Sequence, residues 1–330
     1  MEVLNKKNFP LYSEMAYDDA FRTMEGRCDD LLIPFVSHMF KENYDKTAVV
    51  KRLRNEHFVE HENGSEEKRI TDSYFDIIHN NITKKYHLEC ESKKYDGTLL
   101  VRIFEYGSQI AKDEYSGDLF KARFQFPNTG LLLLKSSSKN APDSAALEIE
   151  MPNGKVTSLD VPIIKMANYT VDVIFEKQLF MLIPFYIFNY EEKLSEINTS
   201  DELVNRLMDD FNEIFTRLEK ELELGNLSAL SYDAIIRLTY SVAYKLTMKK
   251  DRIQKKVGDV MGGKVLDLPG FRLYDQGLEQ GIEQGIRVFI EDKLEDNVPV
   301  DLIKKKISKR FKIGEEKAEE YIASVMSSHS

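Results

Sequence analysis

The sequence predicts an α/β protein built on a mixed sheet, followed by a mostly helical C-terminal region. Three observations predict it. Short runs that read as strands recur between Arg69 and Ile164. Between and before them, Leu31 to Phe40 and Leu99 to Asp113 carry apolar residues at helical spacing. From Thr170 onward the apolar spacing stays near the helical period of about 3.6 residues.

In chain order, Tyr17 to Arg27 (YDDAFRTMEGR) offers Asp18 or Asp19 as a helix N-cap. Leu31 to Phe40 follows as a helix with one core-facing stripe and Pro34 in its first turn. His38 on it reads as a packed or surface histidine rather than a ligand. Thr47 to Glu60 reads as an extended lead-in, and Glu62 to Lys68 as a polar turn around Gly64. Two short strands joined by a polar turn then span Arg69 to Lys93. Asp96-Gly97 turns the chain into a helix, Leu99 to Asp113, carrying Arg102, Tyr106 and Gln109. Gly130 to Leu134, Ala145 to Glu150 and Lys155 to Ile164 read as strands, the last two joined by a turn at Asn153-Gly154.

Val171 to Phe188, Asp201 to Leu222 and Ser231 to Met248 read as helices, with Ser200 or Asp201 capping the second. Val257 to Gly270, rich in glycine, reads as a linker. After it Gln-Gly recurs at Gln276, Gln280 and Gln284, a four-residue period close to one helical turn. That glycine stripe fits either close helix approach, hence self-association, or a flexible spacer. Pro299 to Ser327 reads as two short amphipathic helices. The organisation is thus a core to residue 170, a helical region packed on it to 256, a linker over 257–274 and a helical tail over 275–330.

Composition narrows the function classes. The chain of 330 residues has a net charge of −10, which argues against a broadly basic nucleic-acid binder but leaves room for a local groove. Cys28 and Cys90, the two cysteines, form neither a disulfide framework nor a zinc spacing and fit a reducing cytosol. The start, MEVLNKKNFP, lacks the apolar run of a signal peptide, and Leu179 to Phe188 is too short to span a bilayer. A cytoplasmic protein is expected.

The chemistry concentrates in the strand pair. Side chains alternate along a strand, so Tyr86, Leu88 and Cys90 share one face and His87, Glu89, Glu91 and Lys93 the other. Two carboxylates and an amine on one face point to a metal site; a solvated outer face of a hairpin is the competing reading. Asp72 and Asp76 lie on one face of the preceding strand, and either can complete the ligand set. Lys51, Arg52, Arg54, Lys84, Lys85, Lys93, Lys94 and Arg102 cluster in sequence around these residues and are candidates for phosphate contacts.

The ordered set YDDAFRT, LLIPFVSHMF, RITDS, YHLECES, VRIFEY, LEIEMPNG and VPIIKMANYTVDVIFEKQLFMLIPFYI resembles the PD-(D/E)XK nuclease superfamily. Within it, the set looks like the bacterial PD-(D/E)XK nuclease family transposases, akin to the recombination-promoting Rpn nucleases. The resemblance implies a restriction-endonuclease-like core, a mixed sheet flanked by helices, that hydrolyses DNA with Mg²⁺ or Mn²⁺. It assigns Asp72 and Glu89 as metal ligands and prefers Asp72 to Asp76; for a cation held by oxygen, the backbone carbonyl of Cys90 is the candidate third ligand. It gives supporting roles to Asp18, Arg102 and Tyr106. Lys85, Lys94 and Arg102 are the expected DNA contacts. Glu91 departs from the pattern, standing where the family has Lys or Gln. Two carboxylates about 5 Å apart at an effective dielectric near 20 repel by roughly 3 kcal/mol, so Glu91 makes the site either more dependent on a cation or impaired. Lys93 is the candidate replacement for the missing positive charge. Oxygen ligands suit a hard cation, which can supply hydroxide at neutral pH and neutralise a developing oxyanion.

Overall fold

The computed structural model describes residues 17–53, 56–60, 66–70, 73–95, 97–266, 286–294, 298–311 and 315–328. The chain divides into two compact units, residues 1–265 and 266–330.

The first unit opens with helices α1 (Tyr17–Glu25) and α2 (Asp29–Phe40). Strands β1 (Val49–Arg52), β2 (Glu56–Glu60), β3 (Glu66–Ile70), β4 (Ser73–His79) and β5 (Ile82–Glu91) follow. Helix α3 (Thr98–Asp113) leads into β6 (Ser116–Asp118), β7 (Lys121–Arg123), β8 (Asn128–Leu133), β9 (Ser144–Glu150) and β10 (Val156–Lys165). Six of these strands form one mixed sheet in the order β1-β4-β5-β8-β10-β9, while β2 pairs with β3 and β6 with β7.

Asn80 and Asn81 set the register of the β4–β5 pair. Both sit in left-handed backbone, at φ 51° and 60°, the two-residue hairpin geometry that asparagine tolerates. Ser73 then pairs with Leu88, Tyr74 with His87 and Asp76 with Lys85. From β5 the chain crosses through α3 to a parallel neighbour, β8, with His87 opposite Thr129 and Glu89 opposite Leu131. Such a parallel step requires a long crossover, which α3 and the β6–β7 hairpin supply. β10 adds parallel to β8, and β9 closes the edge antiparallel to β10.

The centre of the sheet is covered on both faces. On one, Leu99 and Ile103 of α3 pack against Leu131, Leu133, Val161 and Ile163. On the other, α2 closes on the sheet at Gly130, where a Cβ would stand 2.1 Å from the sulfur of Met39. A side chain there would have to push Met39 aside. Phe40, Phe75 and Tyr86 stack beside it, and the Tyr86 hydroxyl bonds Tyr44 at 2.5 Å.

Strand β3 overlaps the turn expected at Glu62 to Lys68 and pairs Arg69 with His57 of β2, so the hairpin strand begins at Ser73 rather than at Arg69. The rest of the first unit is helical, and four further departures from the sequence expectations follow. Val171–Phe188 is not one helix. It splits into α4 (Val171–Glu176) and a 3-10 stretch over Phe180–Lys193. Gln178, at φ 54°, breaks the helix, and Pro184 has no N–H to continue an α ladder. Nearly every apolar side chain from Leu179 to Phe188 is buried, so packing on all sides replaces a one-sided stripe. After α5 (Leu194–Ile197), α6 (Asp201–Glu223) and α7 (Ala229–Leu246) start at Ser200 and Ser228, whose side chains cap Glu202 and Ser231.

The second departure is the expected linker. Residues 257–266 belong to α8 (Asp251–Leu266). Ile253, Val257 and Met261, four residues apart, are fully buried, and that packing outweighs glycine costs of about 1 kcal/mol each. Third, Pro34 lies in the second turn of α2 rather than the first, because the helix begins at Asp29. Fourth, Asp18 and Asp19 lie inside α1 rather than before it.

The second unit contains α9 (286–294), α10 (Val300–Phe311) and α11 (Glu315–Ser328). Ile286, Ile290, Ile303, Ile307, Ala318, Ile322 and Val325 form its core. The repeat at 276–285 lies outside the described residues.

Candidate active site

The alternation of β5 places His87, Glu89 and Glu91 on the face that α3 covers. That covering bears on one of the two readings of the sequence, the solvated face. His87 is 0% and Glu89 3% exposed, so this is no solvated hairpin face. A buried carboxylate needs partners, since an unpaired one costs several kcal/mol. Glu89 has them. His87 Nε2 lies 2.9 Å from Glu89 Oε1, and Arg102 Nη2 of α3 donates to Glu89 Oε2 at 3.2 Å. With Nε2–H donating to Glu89, His87 Nδ1 faces the Thr129 hydroxyl at 3.4 Å. Tyr106, one turn beyond Arg102, sets its ring edge-on to His87 at 5.9 Å.

Arg102 spans both carboxylates. Its Nη1 lies 3.5 Å from Glu91 Oε2, so one guanidinium bridges Glu89 and Glu91. Burial works against the Arg102 charge, but the two carboxylates outweigh it and hold its pKa above the ordinary value. Glu91 also accepts the backbone N–H of Lys93 at 2.8 Å.

A second charged group lies down the same face. Asp76, 5% exposed, stands opposite Lys85, with 3.5 Å between Oδ1 and Nζ. Lys85 also binds Glu114, which accepts the Tyr74 hydroxyl at 2.6 Å. Burial opposes the Lys85 charge, yet Glu114 and Asp76 raise its pKa. Burial, then the Glu114 bond, pushes Tyr74 above its ordinary value.

The residues expected from the sequence therefore separate. Glu89, Glu91, Arg102 and Tyr106 come together on the α3 face. Lys93 and Lys94 do not join them: β5 ends at Glu91, and both lysines are exposed in the chain beyond it. Strand alternation thus fails as an argument for Lys93. Asp72 and Arg54 lie outside the described residues; Ser73, the neighbour of Asp72, pairs with Leu88, the neighbour of Glu89. Asp18 lies in α1. Cys90 turns its buried side chain to the opposite face.

The cationic cluster changes character. Arg52 donates to the Glu25 carbonyl, and Lys84 binds Glu42 at 2.6 Å. Lys85 and Arg102 are engaged by carboxylates as described. The candidates Lys51, Lys93 and Lys94 are exposed.

Sequence reasoning missed Thr129, Tyr74 and Glu114. Thr129 meets His87 through a parallel pairing 42 residues apart in sequence. Glu114 reaches Lys85 and Tyr74 from the end of α3. His87 was visible by alternation, as the residue two before Glu89.

For a hard divalent cation the donors fit in kind. Two carboxylate oxygens already converge on one cationic group, Arg102. Among the described residues, no three His, Cys, Asp or Glu side chains are grouped to hold a metal ion. Among the described residues, no helix is long and apolar enough to cross a membrane. No protein-family model matches the chain, and no curated protein or solved structure matches it significantly.

Proposed function

We propose that the protein is a metal-dependent DNA endonuclease with a restriction-endonuclease-like core, of the kind linked to recombination or mobile elements. The observation that carries this reading is the convergence of Glu89 and Glu91 on one cationic group, at the end of a central strand, beneath a helix. A mixed sheet with an antiparallel hairpin feeding a parallel crossover is the architecture that the motif resemblance leads one to expect. The motifs quoted from the sequence supply the rest of the support.

In this reading Glu89 and Glu91 hold Mg²⁺ or Mn²⁺ together with Asp72 and the Cys90 carbonyl. The cation supplies a bound water of lowered pKa and polarises a phosphoryl oxygen. The chain's own residues do the positioning. His87, steadied by Thr129 and Tyr106, orients the Glu89 carboxylate. Arg102, half exposed, balances the carboxylate charge, and its planar fork suits a phosphate. Glu91 adds negative charge where the family pattern has Lys or Gln, so the site depends on its cation more heavily than that pattern.

A second reading has its own observation. Arg102 already bridges both carboxylates and His87 lies against Glu89, so each carboxylate has a partner within the fold without a cation. A nuclease-fold protein that binds DNA or a protein partner without cutting also fits it. Supercoiled plasmid with Mg²⁺ or Mn²⁺ separates the two. The nuclease reading expects nicking by wild type and loss with Asp72→Ala and with Glu89→Ala. Absence of nicking with either metal favours the second reading, and activity surviving both substitutions refutes the site.

A further inference from the structure

The β6–β7 hairpin has no role in the site described above. It follows α3 directly, and every residue of both strands is exposed. Its tip carries Leu119 and Phe120, 94% and 98% exposed. Burying side chains of this size is worth roughly 1.5–3 kcal/mol each, and here none of that is realised within the chain.

The tip is held in shape. Asp118 Oδ1 accepts the Phe120 N–H at 2.9 Å. Gly117 sits at φ 144°, and a Cβ there would stand 1.8 Å from the Lys121 carbonyl oxygen. The turn therefore needs glycine, and presents its two apolar residues in a fixed way. Pairing of Ser116 with Arg123 and of Asp118 with Lys121 puts these four on one face of the ribbon. Two cations and one acid share that face, and Asp118 is turned to the tip's backbone. Among the described residues, no acidic side chain pairs with Lys121 or Arg123. On the other face Tyr115 and Phe124, both more than half exposed, set their rings 6.2 Å apart.

The ribbon is tied to the candidate site. Glu114, two residues before β6, binds Tyr74 and Lys85, and Tyr74 pairs with His87. Lys85 and Glu89 are four residues apart on β5, roughly 13 Å at about 3.3 Å per residue. That is about four steps of a DNA duplex at 3.4 Å each.

We infer that this ribbon is a DNA wedge: Leu119 and Phe120 insert between stacked base pairs while Lys121 and Arg123 hold flanking phosphates. A two-stranded ribbon fits a duplex groove, and apolar side chains inserted at a base step unstack it and bend the duplex. Exposed cations beside an apolar tip favour a polyanion with stacked apolar faces over a protein or lipid partner. The inference rests on the DNA substrate proposed above and does not require hydrolysis.

The test uses the full chain and a short duplex carrying a fluorescent adenine analogue, in EDTA. Wild type is expected to bind and to raise the analogue's emission several-fold, roughly the signature of an unstacked base. Leu119→Ala/Phe120→Ala is expected to bind with the same salt dependence and to lose that rise. Lys121→Ala/Arg123→Ala is expected to lower the salt slope by about 2. Absence of duplex binding, binding without an emission change, or an unchanged rise with the tip variant overturns the wedge. So does a tip variant that instead lowers the protein's mass by light scattering, which would make the tip a self-association contact. Cleavage of the same duplex with Mg²⁺ is read separately: no cutting alongside an intact emission signal removes the nuclease reading and leaves the wedge.

Discussion

On one face of β5, Tyr86, Leu88 and Cys90 meet Phe75, Phe40 and the close approach of α2 at Gly130. On the other, His87, Glu89 and Glu91 meet Arg102, Tyr106 and Thr129. Both faces are buried, yet they are filled by opposite kinds of residue. The apolar face stabilises the fold through the area it removes from water. The charged face contributes little net stability, because a buried ion cluster seldom outperforms an apolar replacement. Folding alone does not call for such a face, and residues of this kind are candidates for function.

The comparison can be broken in order of expected effect. Phe75→Ala on the apolar face is expected to cost about 3–5 kcal/mol in urea unfolding. A loss below about 1 kcal/mol would mean that this face is not the stabilising one. Glu89→Gln on the charged face keeps the shape and removes the charge. DNA cleavage is expected to fall roughly 10²–10³-fold, with little change in the unfolding midpoint. A large drop in stability with cleavage unchanged would reverse the assignment.

Arg102→Ala sharpens the contrast further. It leaves Glu89 and Glu91 facing each other, at an expected cost of about 1–3 kcal/mol. Millimolar Mg²⁺ or Mn²⁺ should return part of that loss if the carboxylates can share a cation, read as a rise in the unfolding midpoint. A purely structural cluster predicts no response to the metal.

A pH-dependent effect, absent at low pH, concerns Glu25 of α1, whose backbone carbonyl Arg52 reaches. Burial, opposed by Arg52 and reinforced by Asp29, pushes Glu25 up to about 7. Its folded pKa lies above the unfolded one, so folding favours its protonated form. Its contribution is complete at pH below about 4.5 and is lost as pH rises toward 7, at up to about 1.4 kcal/mol per pH unit. Glu25→Gln should remove that decline, so its advantage over wild type grows as pH rises from about 4.5 to 7. Equal pH slopes for the two proteins would show that Glu25 does not carry it.

Much of this architecture is legible in local sequence. The β4–β5 hairpin, the helix bearing Arg102 and Tyr106, and the Asn153-Gly154 turn follow from alternation, spacing and turn chemistry. The juxtaposition of Glu89 and Glu91 follows from the two-residue period of a strand. What local pattern does not carry is what covers a face. Alternation put His87 and Glu89 on a polar face, but only the placement of α3 makes it interior. Lys93 was misplaced because nothing in the alternation marks Glu91 as the last residue of the strand. α8 was hidden by Gly258, Gly262 and Gly263, whose cost is outweighed by burial of Ile253, Val257 and Met261. The β6–β7 hairpin is too short to show a period. Thr129 joins the site through long-range pairing, which leaves no mark on neighbouring residues.

A crystal structure of the protein soaked in Mn²⁺ tests the central claim most directly. The account predicts anomalous density within about 2.2 Å of a Glu89 carboxylate oxygen, with Arg102 drawn away from Glu89 and Glu91. An unchanged Arg102 bridge without bound manganese would contradict it and leave the charged face of β5 as a structural ion cluster.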